Sequence, residues 1–395
     1  MTKKNAMKNN DLRFNVKCSM INVRWLMILG LSFIIYHLSF SHAVAQQMTD
    51  GDTHSPYILA VDEYVPAPGQ FVNDIPLYEP GDNAQTMAAK CTAAIANNNG
   101  SLISLGGWGG YVTFHFDHSI ANISGQRDFF IKGNAMQSMA FRTVPGGSSE
   151  PGIVMVSKDV NHNLLPDDPW YEISGSADVD SVGLVDYGYS VTYQRNPMQA
   201  IPWTDNRGGS GVIPRMNQFN HLQEYYPEWL DDNLTFTGTR LPRNAYRYTM
   251  EVQGEEYGEW VLMFLAYGYA DNQPNIKKDA CSIDIGWAID ENRQPVNLDF
   301  IDFVRVYTGV NQVIAELGET STEIAGAEDL HLEASIAAIQ AATGIEPTPN
   351  PSPREGSYYT LDGRLVQSSK LKAQSSKGVY ILRKSDGTAK KVIIK

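Results

Sequence analysis

Between Tyr111 and Phe116 the chain alternates, with Val112, Phe114 and Phe116 on one face of an extended segment and Tyr111, Thr113 and His115 on the other. A period of two marks a half-buried strand. Similar apolar, β-branched or aromatic runs occupy Asp128–Ile131, Gly152–Ser157, Ser190–Tyr193, Trp260–Tyr267, Ile283–Ile289 and Phe300–Thr308, separated by frequent Gly and Pro. Two segments read as helices instead: Asn83–Ala96 is Ala-rich, and Ser321–Ala341 carries an Ala/Glu/Leu pattern. Many short strands and few helices predict a mainly β fold, an antiparallel β-sandwich or jelly roll. No repeat of constant period is visible, which argues against a propeller or solenoid.

The two ends have a different character. Lys3, Lys4, Lys8, Arg13, Lys17 and Arg24 precede an apolar run from Trp25 to Tyr36 and a small-residue site at Ala43-Val44-Ala45. The run is too short for a stable membrane span, so residues 1–45 read as a signal peptide. Cys18 lies before the run, which leaves no cysteine placed for lipoprotein anchoring. At the other end, Pro347, Pro349, Pro351 and Pro353 make residues 344–356 a stiff linker. Residues 357–395 carry Asp362-Gly363 and Asp386-Gly387 turn dipeptides between alternating apolar residues, a set of short hairpin strands. Tyr359, Leu361, Gly363 and Arg364, followed by Gly378, Tyr380, Arg383 and Lys391 through Lys395, resemble the C-terminal sorting domains of type IX secretion cargo in Bacteroidota. That resemblance implies contact with secretion machinery and display at the cell surface, the outer membrane, or outside the cell. The remaining residues, 46–343, are long enough for one large domain or two intimately joined ones.

The chain has 31 basic and 44 acidic side chains, a net charge of −13. The basic excess sits at the ends, which leaves the body strongly acidic. Such a body repels phosphate backbones and disfavours nucleic-acid binding. Of the cysteines, Cys91 and Cys281 lie in the body; an exported chain could join them or leave them free, one pair is no disulfide framework, and no Cys/His spacing suggests zinc.

One internal motif has clear chemistry. In D-V-N-H-N-L-L-P-D-D-P-W-Y-E, Asp159, Asn161, Asn163 and Asp167 place oxygen-bearing side chains at positions one, three, five and nine, with the Leu165 carbonyl at seven. Alternate inward oxygens suit a hard cation, and Ca2+ accepts six to eight of them. The loop departs from an EF-hand at Leu164, where glycine is usual, and at Trp170, which holds the twelfth position ahead of Glu172. An Asx-rich turn held by its own hydrogen bonds is the alternative.

Aromatic residues cluster with glycines and prolines at Gly106–Tyr111, Pro169–Tyr171, Pro202–Gly209 and Tyr225–Trp229. Flanking glycines permit close backbone approach and an exposed ring. Trp108, Tyr111, Trp170, Trp203 and Trp229, with the polar group Asp205, Asn206 and Arg207, are therefore candidate ligand-binding residues for a sugar or another flat amphipathic molecule. Packing in the corners of a Gly-rich β-fold is the alternative for each ring.

Across the body, SLGGWGGYVTFHFDHSI, SSEPGIVMVSKDVNHNLLPDDPWYEI, AYGYADNQPN and IDFVRVYTGVNQ resemble a family of Bacteroidota cell-surface proteins, often labelled PKD-type. The resemblance implies a galactose-binding-like or jelly-roll module. For some members it implies corrinoid (cobalamin) uptake beside an outer-membrane transporter. Catalytic motifs are missing: Gly208-Gly209-Ser210-Gly211 has the wrong spacing for a nucleophile elbow, and no H-E-x-x-H, phosphate-binding loop or dinucleotide fingerprint occurs. The expectation is an exported, non-catalytic surface protein that binds a small molecule or glycan; corrinoid capture leads, glycan binding follows, and glycoside hydrolysis is third.

Overall fold

The computed structural model describes residues 54–179, 185–216 and 223–343, with side chains as far as residue 337, together with the backbones of four C-terminal strands. The expected signal peptide and Pro-rich linker lie outside the described residues.

Strands outweigh helices 41% to 11%, and the architecture is that of a β-sandwich rather than a closed barrel. The largest sheet runs Ala60–Val65, Tyr111–Ala121, Phe300–Thr308, Gly152–Ser157, Trp170–Ile173 and Ala288–Ile289, with Tyr269–Ala270 also paired to Gly152–Ser157. Its pairings are all antiparallel. Alternation sets the register: Val304 lies opposite Phe114 on one side and Val156 on the other, and Val306 opposite Val112 and Val154. All six are buried in one core, so a slip by one residue would turn them to solvent.

The helix Ala84–Ile95 covers this core with Met87, Ala88, Cys91 and Ile95. Asn83 starts it through a capping box: its side chain accepts from the Gln85 and Thr86 amides, while its own amide donates to the Thr86 hydroxyl. Cys91 and Cys281 are both buried free thiols.

A second sheet, ordered Ser210–Ile213, Ile201–Asp205, Asp186–Gln194 and Asn233–Arg240, closes a separate core around Trp108, Tyr189, Tyr193, Tyr225 and Phe236. A third contains the hairpin Ala245–Val252 and Glu255–Met263, which turns at Gln253 and Gly254, both with positive φ. At the C-terminal end, Leu365–Val366, Ser357–Tyr359, Gly378–Arg383 and Ala389–Ile394 form a four-stranded antiparallel sheet in that order.

Two segments depart from the sequence pattern. The helix expected over Ser321–Ala341 begins only at Leu332; before it lie the short strands Glu323–Ile324 and Gly326–Asp329. Gly326 has φ +141, and the strands pair with Ile103–Ser104 and Phe129–Lys132, so buried pairing overrides local propensity. The run Ile283–Ile289 is broken by a 3-10 turn at Ile285–Trp287, where the Asp284 side chain accepts from the Gly286 amide at 2.8 Å.

Candidate functional site

The Asp159 loop closes on itself. Asp159, 5% exposed, accepts from the amides of Asn163 and Leu164, and its own amide donates to Asp302 on the neighbouring strand at 2.7 Å. Asn161 and Asn163 donate through their side-chain amides to the two oxygens of Asp167, at 3.0 and 2.9 Å. The Asn161 and Asn163 carbonyl oxygens accept from the amides of Asn163 and Leu165. Four of the five expected calcium ligands therefore converge through their side chains. His162 and Leu164 both have positive φ, 58° and 62°, so Leu164 adopts the backbone shape for which glycine is usual in such loops. Holding a hard cation would require the two amides to give up these bonds and turn their oxygens inward. The same bonds also describe the Asx-rich turn.

The aromatic candidates fall into separate neighbourhoods. Trp108 is 1% exposed, edge-on to Tyr189 at 4.8 Å, with its carbonyl accepting from the Tyr193 hydroxyl at 3.0 Å. This corrects the expectation of an exposed ring: the flanking glycines bring backbone against backbone and enclose the indole. Trp203 packs half-buried on the edge of the same core, above Gly211. Trp229 stacks between Tyr64 and Tyr78, at 5.7 and 5.9 Å, against the first core. Tyr111 and Trp170 do meet, but through Arg305, whose guanidinium lies 4.6 Å from one ring and 4.3 Å from the other and pairs with Glu63 at 2.6 Å.

Asp205, Asn206 and Arg207 build a turn. Asp205 accepts from the amides of Arg207 and Gly209 and from the Tyr189 hydroxyl. Asn206 bonds Ser190 and Gly188, and Arg207 pairs with Asp186 at 2.8 Å. Their polar atoms are committed to holding two strand connections together.

Sequence reasoning missed a cleft of about 390 Å³ lined by Asn122, Ser124, Asp284, Trp287, Asn297 and Asp299, with two glycines and Leu298 completing its wall. Trp287 comes from the 3-10 turn; the Arg127 guanidinium lies 4.0 Å from its ring centroid and Tyr267 4.8 Å away. Asn122 donates to the Leu298 carbonyl at 2.8 Å, and Asp299 pairs with Lys158 at 2.6 Å. Ser124 and Asn297 are exposed and make no side-chain hydrogen bond among the described residues. No spacing announces this cleft, because its wall is assembled from three distant segments.

A second unforeseen group is buried. Oxygens of Glu150, Asp271 and Glu323 all lie within 4.8 Å of one another. Asp271 accepts from the amides of Asn134, Ala135 and Glu323, Glu323 from Ser104 and Asn134, and Glu150 from the Ser321 amide. Burial, and then mutual repulsion, raises the pKa of Glu150 and Asp271. Among the described residues no salt bridge joins any of the three to a Lys or Arg.

No protein-family model matches the chain, and comparison with curated proteins finds no match. Among the described residues no helix is long and apolar enough to cross a membrane.

Proposed function

We propose that this is an exported, surface-displayed, non-catalytic binding protein of the Bacteroidota cell-surface family it resembles, and that its ligand is a glycan held in the Trp287 cleft. The cleft carries the reading. It combines an indole with two amides, a hydroxyl and two carboxylates on an open surface, the mixture of apolar area and directional hydrogen bonds that a sugar ring requires. Corrinoid capture is the second reading. A cleft of about 300 Å³ lined by Pro242, Tyr246, Tyr248, Met263, Phe264 and Leu265 among others favours it, since a flat macrocycle needs a broader apolar wall.

The test is a glycan array followed by calorimetric titration of the full chain, with cobalamin as a parallel probe. Trp287→Ala and Asn297→Ala are each expected to weaken the selected glycan about tenfold, or ~1.4 kcal/mol. Asn297 is exposed, so its substitution should leave the melting temperature unchanged. Wild-type affinity in both variants would remove the cleft from the site. Saturable cobalamin binding that resists both variants and fails in Tyr246→Ala would put the corrinoid reading first.

The Asp159 loop supports this reading as a Ca2+-stiffened surface element. Millimolar Ca2+ is expected to raise the melting temperature of the wild type and to have no effect on Asp167→Ala, which loses one of two carboxylates at an exposed position. Equal melting curves in Ca2+ and EDTA would identify the loop as an Asx turn alone.

A further inference from the structure

Where the described chain begins, three side chains that neither the glycan cleft nor the calcium loop uses point at one spot. His118 lies on the long strand Tyr111–Ala121 with its side chain 2% exposed. Its Nδ1 lies 2.6 Å from Asp117 Oδ1, and its Nε2 lies 2.8 Å from Asp329 Oδ2. His54 approaches from the chain's entry into the body: its Nδ1 is 3.4 Å from the same Asp117 oxygen, and the two imidazole rings stand 5.6 Å apart at 65°. The three candidate ligand atoms, one each from His54, Asp117 and His118, lie within 4.8 Å of one another.

We propose that His54 Nδ1, His118 Nδ1 and the Asp117 carboxylate form a binding site for a divalent transition-metal ion of the Zn2+ class. Two features beyond proximity support it. The first is Asp329. A metal-ligating histidine characteristically donates its other ring N–H to a carboxylate, which fixes the tautomer and the ring orientation. Asp329 is fully buried, occupies that position on His118 Nε2, and is itself held by the His331 amide at 2.7 Å. With Nε2–H donating to Asp329, Nδ1 is the ring nitrogen that faces Asp117, and it becomes a ligand on losing the proton it shares with that carboxylate. The second is the ligand set. Two imidazole nitrogens and one carboxylate suit zinc and its neighbours, whereas Ca2+ and Mg2+ take oxygens. Asp117 is fixed independently, because its second oxygen accepts from the Ser55 amide at 2.9 Å.

The exposures set the geometry of access. His118, Asp117 and Asp329 are at most 13% exposed, while His54 is 38% exposed. The ion would enter from the side of His54 and keep an open position there for water. On binding it replaces the proton that bridges His118 Nδ1 and Asp117 Oδ1, and that proton leaves to solvent. The bound ion would tie residue 54 to the strand and to the segment ahead of the helix Leu332–Thr343, closing a long loop of chain.

The experiment strips the full chain with EDTA, removes the chelator and titrates Zn2+ by calorimetry, with Ca2+ and Mg2+ as comparisons. One saturable Zn2+ site of micromolar or tighter affinity is expected, with a higher melting temperature on binding. His54→Ala alters an exposed residue and should fold; it is expected to weaken Zn2+ at least tenfold. Asp167→Ala separates this site from the Asp159 loop and is expected to leave Zn2+ affinity unchanged. Cobalt(II) in place of zinc should give a visible absorption band in the wild type that is altered in His54→Ala. The proposal is overturned if Zn2+ shows no saturable binding, if His54→Ala binds it as the wild type does, if Asp167→Ala abolishes it, or if Ca2+ competes equally.

Discussion

Gly110→Ala is expected to abolish folding, and Trp108→Ala to cost about 3–5 kcal/mol, the usual penalty for emptying a buried Trp site. A Cβ on Gly110 would stand 2.0 Å from the Leu105 carbonyl oxygen and 2.1 Å from the Ala67 amide nitrogen. Those two atoms are acceptor and donor of one hydrogen bond, 3.0 Å long, so the methyl would replace the bond that ties the strand Ala60–Val65 and its exit to the Gly-rich turn. Neither partner can move cheaply, because both are backbone. Gly106 is equally confined, with φ +69, and a methyl there would meet the Ala67 carbonyl oxygen at 1.9 Å. Gly208 supplies the contrast. It has φ +82 but nothing within 4 Å, so Gly208→Ala should cost only the left-handed strain of about 1–2 kcal/mol. Denaturant midpoints of the three variants check the order. Cooperative, near-wild-type unfolding of Gly110→Ala would show that the turn yields, and the enclosed position of Trp108 would then need another cause.

This contrast shows why the aromatic candidates were only half legible. The residue pattern Gly-Gly-Trp-Gly-Gly identifies a place where backbone must come close to something, and that much is correct. Whether the partner is a ligand or another stretch of the same chain depends on Pro66–Gly69 and Phe236, which lie far away in sequence. The strand face of Val112, Phe114 and Phe116 was legible because its signal is local and repeated on every partner strand. The meeting of Asp159, Asn161, Asn163 and Asp167 in one turn is legible for the same reason. The Trp287 cleft was not, since Asn122, Asp284 and Asn297 become neighbours only after three connections fold together. Nothing local marks His118 either, because its orienting partner, Asp329, is supplied by a strand that the sequence disguises as helix.

Stability is expected to fall as pH rises from about 5 to about 8.5, and Glu319→Gln to remove part of that slope. Glu319 is 5% exposed; burial pushes its carboxyl up to about 8, although the Gln70 amide donates to Oε1 at 2.6 Å. Its Oε2 has no hydrogen-bond partner among the described residues. Glu323 adds a nearby like charge, and no Lys or Arg of the described residues pairs with Glu319. Burial likewise pushes Glu172 up to about 7, against hydrogen bonds from Thr239 and Tyr307. The unfolded chain releases these protons near pH 4.5, whereas the native state keeps them until pH 7–8. Across that window the folded protein binds more protons than the unfolded one, so each unit of rising pH subtracts stability. At about 1.4 kcal/mol per unit for a fully titrating group, the loss is on the order of several kcal/mol. Carboxylates held low, such as Asp82, where Lys90 outweighs a burial penalty, act with the opposite sign but only below their ordinary pKa. The optimum therefore lies on the acid side of neutral. Glutamine keeps the acceptor for Gln70 and has no proton to lose, so Glu319→Gln should be less pH-sensitive and more stable than the wild type at pH 8.5. Urea denaturation at pH 5, 7 and 8.5 reads both effects. A wild-type midpoint that rises over this range, or an identical slope in Glu319→Gln, would mean that water or a cation reaches these carboxylates and neutralises the cost of their charge.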